Sequence, residues 1–308
     1  MPVRPSTFSI VARDPEQDAL GVAVQSKFVS VGSVVPFAAA DAGAIATQSY
    51  ANVAYGPDGL ELLRSGNDAE TVVEELTAGD EEAASRQVGV VGADGSVAAF
   101  TGEECLEHAG DHQGEHYTVQ GNILEGRDTI DAMAEAYETT EGGLPERLLA
   151  ALTAGNEAGG DRRGEQSAAM YVVKPAGGYD GRNDRWIDVR VDDHESPIEE
   201  LERVFRIYDV TLLEREAPED LRELSGPTAA SVLESLADLG QYDGSPTETF
   251  GAEEREALET FRGVNNFENH SLEVLEDAIA RGWDGAEGTG KQKLVNAIWQ
   301  GLSRLDRA

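Results

Sequence analysis

Cysteine is almost missing from this chain of 308 residues: Cys105 stands alone. One thiol cannot close an internal disulfide, which argues against a disulfide-stapled secreted fold and makes a reducing compartment, the cytoplasm, the expected address. No run of about 18 apolar residues occurs, so no membrane-spanning helix is expected. No apolar stretch follows the early Arg4 and Arg13, so the start does not read as a secretory leader. Lysine is scarce as well; only Lys27, Lys174, Lys291 and Lys293 occur among 24 basic residues. Neither a phosphate-cradling glycine loop nor a dinucleotide fingerprint is present, and no cofactor is implied.

Acid is what the chain has instead. Asp and Glu total 59 against 24 Lys plus Arg, for a formal charge of −35. The carboxylates are scattered rather than gathered in a tail, which argues against a disordered acidic segment. Such a surface suits very high ionic strength, where the Debye length is about 3 Å and self-repulsion is screened; a salt-adapted, halophilic origin is the expectation. The same field repels phosphate backbones, so nucleic acid is an unsuitable partner.

The first two thirds alternate short strands with helices. Thr7–Arg13 and Leu20–Ser26 flank a turn-rich Asp14-Pro15-Glu16-Gln17-Asp18. Val29–Ala40 and Ala44–Ser49 read as strands covered on both faces, being rich in Ala, Gly and Val. Helices are expected from Gly56-Pro57-Asp58 to Arg64, then after a cap at Asn67 or Asp68. Gln87–Val91 and Ser96–Thr101 read as a hairpin about Asp94-Gly95, and His116–Gln120 as a strand. Helices over Asp128–Tyr137 and Leu144–Gly155, strands over Ser167–Lys174 and Trp186–Val191, and a helix from Pro197 to Tyr208 complete the pattern. Hairpins outnumber βαβ units, so the expected fold is α+β: a four-layer αββα sandwich of two mainly antiparallel sheets, plus a small all-α C-terminal domain. The expected division is residues 1–210, a linker at 211–227 and a helical domain at 228–308. Sheet edges and the helical tail leave room for a homodimer.

Several long motifs occur in order: TFSIVARDPE, GVAVQSKF, VGSVVPFAAADAGAIATQSYAN, YGPDGLELL, VQGNIL, GGDRRGEQSAA and RVDDH. With these the first 210 or so residues resemble the DUF1028 family, which is placed in the N-terminal-nucleophile (Ntn) hydrolase superfamily. Residues Leu236–Asn266, with Leu-Gly, an aromatic, Phe-Gly and a helix ending in Phe-Arg, resemble a peptidoglycan-binding-like helical domain; a packing or docking role suits its acidity better than glycan binding.

The resemblance implies amide hydrolysis through an acyl-enzyme, with Thr7 as nucleophile and its freed α-amine, of pKa near 8, as base. Thr7 is preceded by six residues, so the chemistry requires cleavage between Ser6 and Thr7 or a later start; a β-branched residue opening a strand is the plain alternative. Lys27, beside Ser26, could lower the amine pKa or steady developing charge, or simply extend its stem to water. Asn122, after Gly121, is the candidate oxyanion donor, although Asn is also common after strands. In Gly159–Ser167, Asp161 could orient the amine, and Arg162 or Arg163 could clamp a carboxylate, with Gln166 alongside; local salt bridges are the alternative. Gln48, Asn52 and Tyr55 line the pocket by resemblance alone. Asp188, Asp192, Asp193 and His194 read as strand-end and helix-capping residues. His108, His112 and His116 share helical spacing, but Gly110 and Gly114 break any helix there, so no metal site is expected. The expected function is hydrolysis of a small C–N bond in an amide or lactam; the alternative is a non-catalytic ligand-binding or scaffold protein on the same fold.

Overall fold

A computed structural model describes residues 7–105, 108–216 and 218–307. The expected cleavage after Ser6 falls at the edge of residues 1–6, which lie outside that description. The chain divides into two compact units, one up to Glu202 and one from Arg203 onward.

The first unit contains two antiparallel sheets. Sheet A runs in the order β10 (Arg185–Val191), β9 (Ser167–Val173), β2 (Ala19–Ser26), β1 (Thr7–Asp14), β8 (Tyr117–Asn122), β7 (Gly110–Gly114). Sheet B runs β3 (Pro36–Ala39), β4 (Gly43–Ser49), β5 (Arg86–Gly92), β6 (Val97–Thr101). Between the sheets, Val11, Val22 and Val24 of sheet A pack with Ala44, Ala46 and Val91 of sheet B. On the outer face of sheet B lie α1 (Tyr55–Arg64) and α2 (Ala69–Ala78), joined to it through Ile45, Leu60, Val72 and Val88. On the outer face of sheet A lie α3 (Asp128–Thr139) and α4 (Leu144–Glu157). The result is the expected αββα sandwich. The central strands are largely apolar on both faces because both faces are covered; fully burying one aliphatic side chain is worth about 1.5–3 kcal/mol.

Local chemistry accounts for most boundaries. Asp14 Oδ1 accepts from the backbone N–H of Glu16 (2.9 Å) and Gln17 (3.2 Å), closing the β1–β2 turn. Asp68 caps α2 by accepting from Thr71 N at 2.9 Å. Gly95, at φ +89°, turns β5 into β6.

Two elements differ from the sequence pattern. Of Val29–Ala40, only Pro36–Ala39 is strand; Val31–Ser33 is a single tight turn. The backbone there is satisfied from elsewhere: Ser167 Oγ donates to Phe28 O and accepts from Val31 N, and Ser30 N donates to Asp192 O. Tertiary partners override the β-branched propensity. Conversely, Gly110–Gly114 is strand β7, although GDHQG contains no strong strand former; it covers the free edge of β8. His108 and His116, at φ +56° and +64°, bracket it, so the three histidines share no helix face.

The second unit is helical: the end of α5 (Pro197–Leu212), α6 (Gly226–Asp238), α7 (Ala252–Val264), α8 (Leu272–Gly282) and α9 (Gly290–Leu302). Its core includes Val232, Leu236, Phe261, Ile279 and Ile298. Residues between α5 and α6 are tied to this unit. Arg222 N donates to Asp277 Oδ1 (2.8 Å), Leu224 N to Glu276 Oε1 (3.0 Å), and Arg215 pairs with Asp209. Among the described residues no helix is long and apolar enough to cross a membrane.

Candidate active site

Thr7 opens β1, the strand between β2 and β8. Cross-strand register sets it directly opposite Ser26 on one side and Asn122 on the other. Cross-strand neighbours have Cβ atoms about 5 Å apart, within reach of short polar side chains. Thr7 Oγ1 lies 3.0 Å from Ser26 Oγ. Its carbonyl accepts from the Gln48 amide at 3.3 Å and the Asn122 amide at 3.4 Å. Thr7 is 3% exposed, and Ser26, Gln48 and Asn122 are buried.

Gln48 reaches Thr7 from the opposite sheet, as part of a polar seam across the apolar interior. Ser9 Oγ donates to Gln48 Oε1 at 2.6 Å, and Gln120 Nε2 donates to Ser9 Oγ at 2.6 Å. Gln48 Nε2 donates to Gln87 Oε1 at 2.8 Å, which also accepts from Asn122 Nδ2 at 3.0 Å. Gln87 Nε2 turns the other way, to Gly121 O at 2.9 Å and Thr101 Oγ1 at 3.0 Å. A buried amide without partners would cost several kcal/mol, so the seam holds together only as a connected set. Ser9, Gln87 and Gln120 escape a reading by motif. The one signal for them is a polar residue at an inward position of a strand whose neighbours are apolar.

The Gly159–Ser167 segment closes over the end of β2. Gln166 N donates to Ser26 O at 3.2 Å. Asp161, 4% exposed, accepts from Lys27 N at 2.8 Å through Oδ2. Arg163 wraps the same carboxylate, donating from its backbone N (2.8 Å), Nε (3.2 Å) and Nη2 (2.8 Å). Arg163 is therefore engaged within its own loop, whereas Arg162 is exposed with its backbone N on Ile123 O. The Lys27 side chain is exposed and donates to Glu165 O at 2.8 Å. The Gln166 side chain turns to Asp193, and His194 Nδ1 accepts from Ser196 N, the capping arrangement at the head of α5.

Thr7, Ser26, Gln48 and Asn122 thus share one bonded group, and Lys27, Asp161, Arg163 and Gln166 form the loop beside it. Asn52 and Tyr55 belong elsewhere, both donating to Asp80 Oδ2 at 3.0 Å and lining a cavity of about 560 Å³ between α1 and α2. The guanidinium of Arg86, 2.9 Å from Asp80, holds that carboxyl well below the usual range; burial, then the hydrogen bond to Asp80, push the Tyr55 hydroxyl up.

A protein-family model described as "Family of unknown function (DUF1028)" matches residues 7–201, so its first matched residue is Thr7. The chain belongs to the DUF1028 family. A second model, "Putative peptidoglycan binding domain", matches residues 211–299 of this DUF1028 protein. Among solved structures it is similar to protein SPO2555 from Silicibacter pomeroyi, also assigned to DUF1028, at 33% identity with a TM-score of 0.61. That similarity covers 66% of this chain and 86% of the other. No curated protein matches.

Proposed function

We propose that this chain is an N-terminal-nucleophile hydrolase that cleaves a small amide or lactam through an acyl-enzyme on Thr7. The observation that carries the reading is the placement of Thr7: it heads a central strand, its hydroxyl is 3.0 Å from a second buried hydroxyl, and buried amides hold its carbonyl. A threonine that served only as a strand former would need no such surroundings.

With its α-amine freed, Thr7 carries nucleophile and base on one residue. Oγ1 attacks the amide carbonyl carbon while its proton passes to the α-amine. The C–N bond then breaks, and the leaving nitrogen takes that proton. Water attacks the resulting ester and releases the acid. Ser26 fixes the rotamer of Thr7 and can accept or donate during the transfer. Asn122 spends its two amide hydrogens on Gln87 and Thr7, and the 3.4 Å bond to Thr7 O is the longer; a developing oxyanion would draw that donor. Asp161 and Arg163 brace the loop at Lys27. A cytoplasmic, salt-adapted setting belongs to the same proposal and rests on the −35 charge.

The test is the intact mass of protein from its native host, followed by treatment with a hydroxyl-directed β-lactone. The proposal expects a chain starting at Thr7 and one covalent adduct, lost in Thr7→Ala. A chain that starts upstream and still turns over an amide defeats the amine-base mechanism. Absence of any adduct on a Thr7-started chain favours a binding protein.

A further inference from the structure

The opposite end of β1 holds a second polar cavity, of about 470 Å³, between the β1–β2 turn, the start of β8 and the ends of α3 and α4. An eight-residue strand at about 3.3 Å per residue sets it roughly 20 Å from Thr7. The volume is in the range of small-molecule sites, about 300–1,000 Å³.

Two arginines line it, Arg13 and Arg147. Neither guanidinium has a carboxylate partner among the described residues, in a chain where Asp and Glu outnumber Lys and Arg 59 to 24. Arg147 is held in place without one. Its Nε donates to Tyr137 O at 3.0 Å, and its guanidinium carbon lies 4.0 Å from the centre of the Tyr137 ring. Tyr137 in turn packs on Tyr117, ring centres 4.7 Å apart. Tyr137 is 1% exposed and lines the cavity, yet its hydroxyl makes no hydrogen bond among the described residues. That hydroxyl opens onto the cavity, where a ligand group can take the place of water as its partner.

The nearby carboxylates are of two kinds. Asp14 is held through Oδ1 alone by the turn N–H groups, and its charge reaches the Tyr137 hydroxyl, while Glu138 accepts from the Tyr117 hydroxyl at 2.7 Å. Glu16 and Glu115 are exposed on the rim. A simple anion satisfying the arginines would face that acidic rim, and a simple cation would face the arginines. A molecule carrying both charges matches both.

We infer that this cavity binds a small zwitterion of the α-amino acid class. Its carboxylate takes the Arg13 and Arg147 guanidiniums and the Tyr137 hydroxyl, and its ammonium faces Glu16 and Glu115. Charge-assisted bonds of this kind are the stronger hydrogen bonds, and a stacked guanidinium loses little freedom on forming them. The site is separate from Thr7 and does not depend on any activity there.

The test is calorimetric titration of the full chain with the protein amino acids at fixed ionic strength, with acetate, inorganic phosphate and methylammonium as controls carrying one kind of charge. Saturable binding of at least one amino acid is expected, weakened roughly tenfold or more by Arg147→Gln and by Tyr137→Phe. Tyr137→Phe keeps the ring and its stack, and with no hydrogen bond to lose it should melt with the parent when no ligand is present. Absence of saturable binding by any amino acid overturns the inference. So does binding that both variants leave intact, or acetate or phosphate binding as tightly as the best amino acid.

Discussion

Thr7 Oγ1 and Ser26 Oγ lie 3.0 Å apart on paired central strands, each buried. Two hydroxyls in contact can exchange the donor role, so Ser26 can hold the Thr7 hydroxyl in the rotamer from which its proton leaves. Ser26→Ala should fold normally and slow acylation of Thr7 by the β-lactone about tenfold to a hundredfold, the scale of lost positioning. The measurement is adduct formation against time by intact mass; an unchanged rate would make Ser26 a structural neighbour only.

The helical unit has its own buried ion cluster. Asp209, whose side chain is fully buried, receives Arg307 through Nε and Nη2 at 3.0 Å each and pairs with Arg215; both arginine side chains are 5% exposed. Asp209→Asn leaves two buried cations around a neutral amide. A loss of about 3–5 kcal/mol is expected, read as a lower denaturation midpoint at fixed salt.

α8 and α9 touch through glycine. A Cβ on Gly301 would lie 2.0 Å from Ala278 O, and one on Gly282 2.0 Å from Ala297 O. Gly to Ala inside an exposed helix stabilises by about 1 kcal/mol. Here the neighbour is backbone, which cannot rotate aside, so overpacking wins. Gly301→Ala should destabilise by about 1–3 kcal/mol, measured by denaturant titration.

His270 is 4% exposed, with Nε2 3.0 Å from Val210 O. Burial, ahead of the hydrogen bond to Val210, lowers its pKa from the ordinary 6.5. The unfolded chain then binds the proton more readily than the folded one. The stabilisation is complete above about pH 6.5 and is lost as pH falls toward the lower folded value. Melting temperature should fall between about pH 7 and pH 5, and this component should be missing in His270→Asn. Identical pH slopes for parent and variant would remove His270 as the cause.

Period and punctuation made most elements legible: the Asp14–Asp18 turn, the Asp68 cap and Asp94-Gly95 all follow local rules. Two-sided apolar strands also announced covered sheets and hence layers. Gly110–Gly114 was not legible, because its strand conformation comes from the edge of β8 rather than from its own residues. Val29–Val35 was misleading for the converse reason, since Ser167 and Asp192 claim its backbone.

The sequence alone determined the class of fold, the acidic surface and the family, because periodicity, charge and motif are properties of neighbours along the chain. Only tertiary structure decided that Gln48 and Gln87 from one sheet reach Thr7 and Asn122 on the other, that Asn52 and Tyr55 serve Asp80 instead, and that Arg13 and Arg147 line one cavity. Those pairings join residues up to 115 positions apart, as Thr7 and Asn122 are. They exist because burying an amide or a carboxylate requires a partner, and which partner is near depends on how the layers stack.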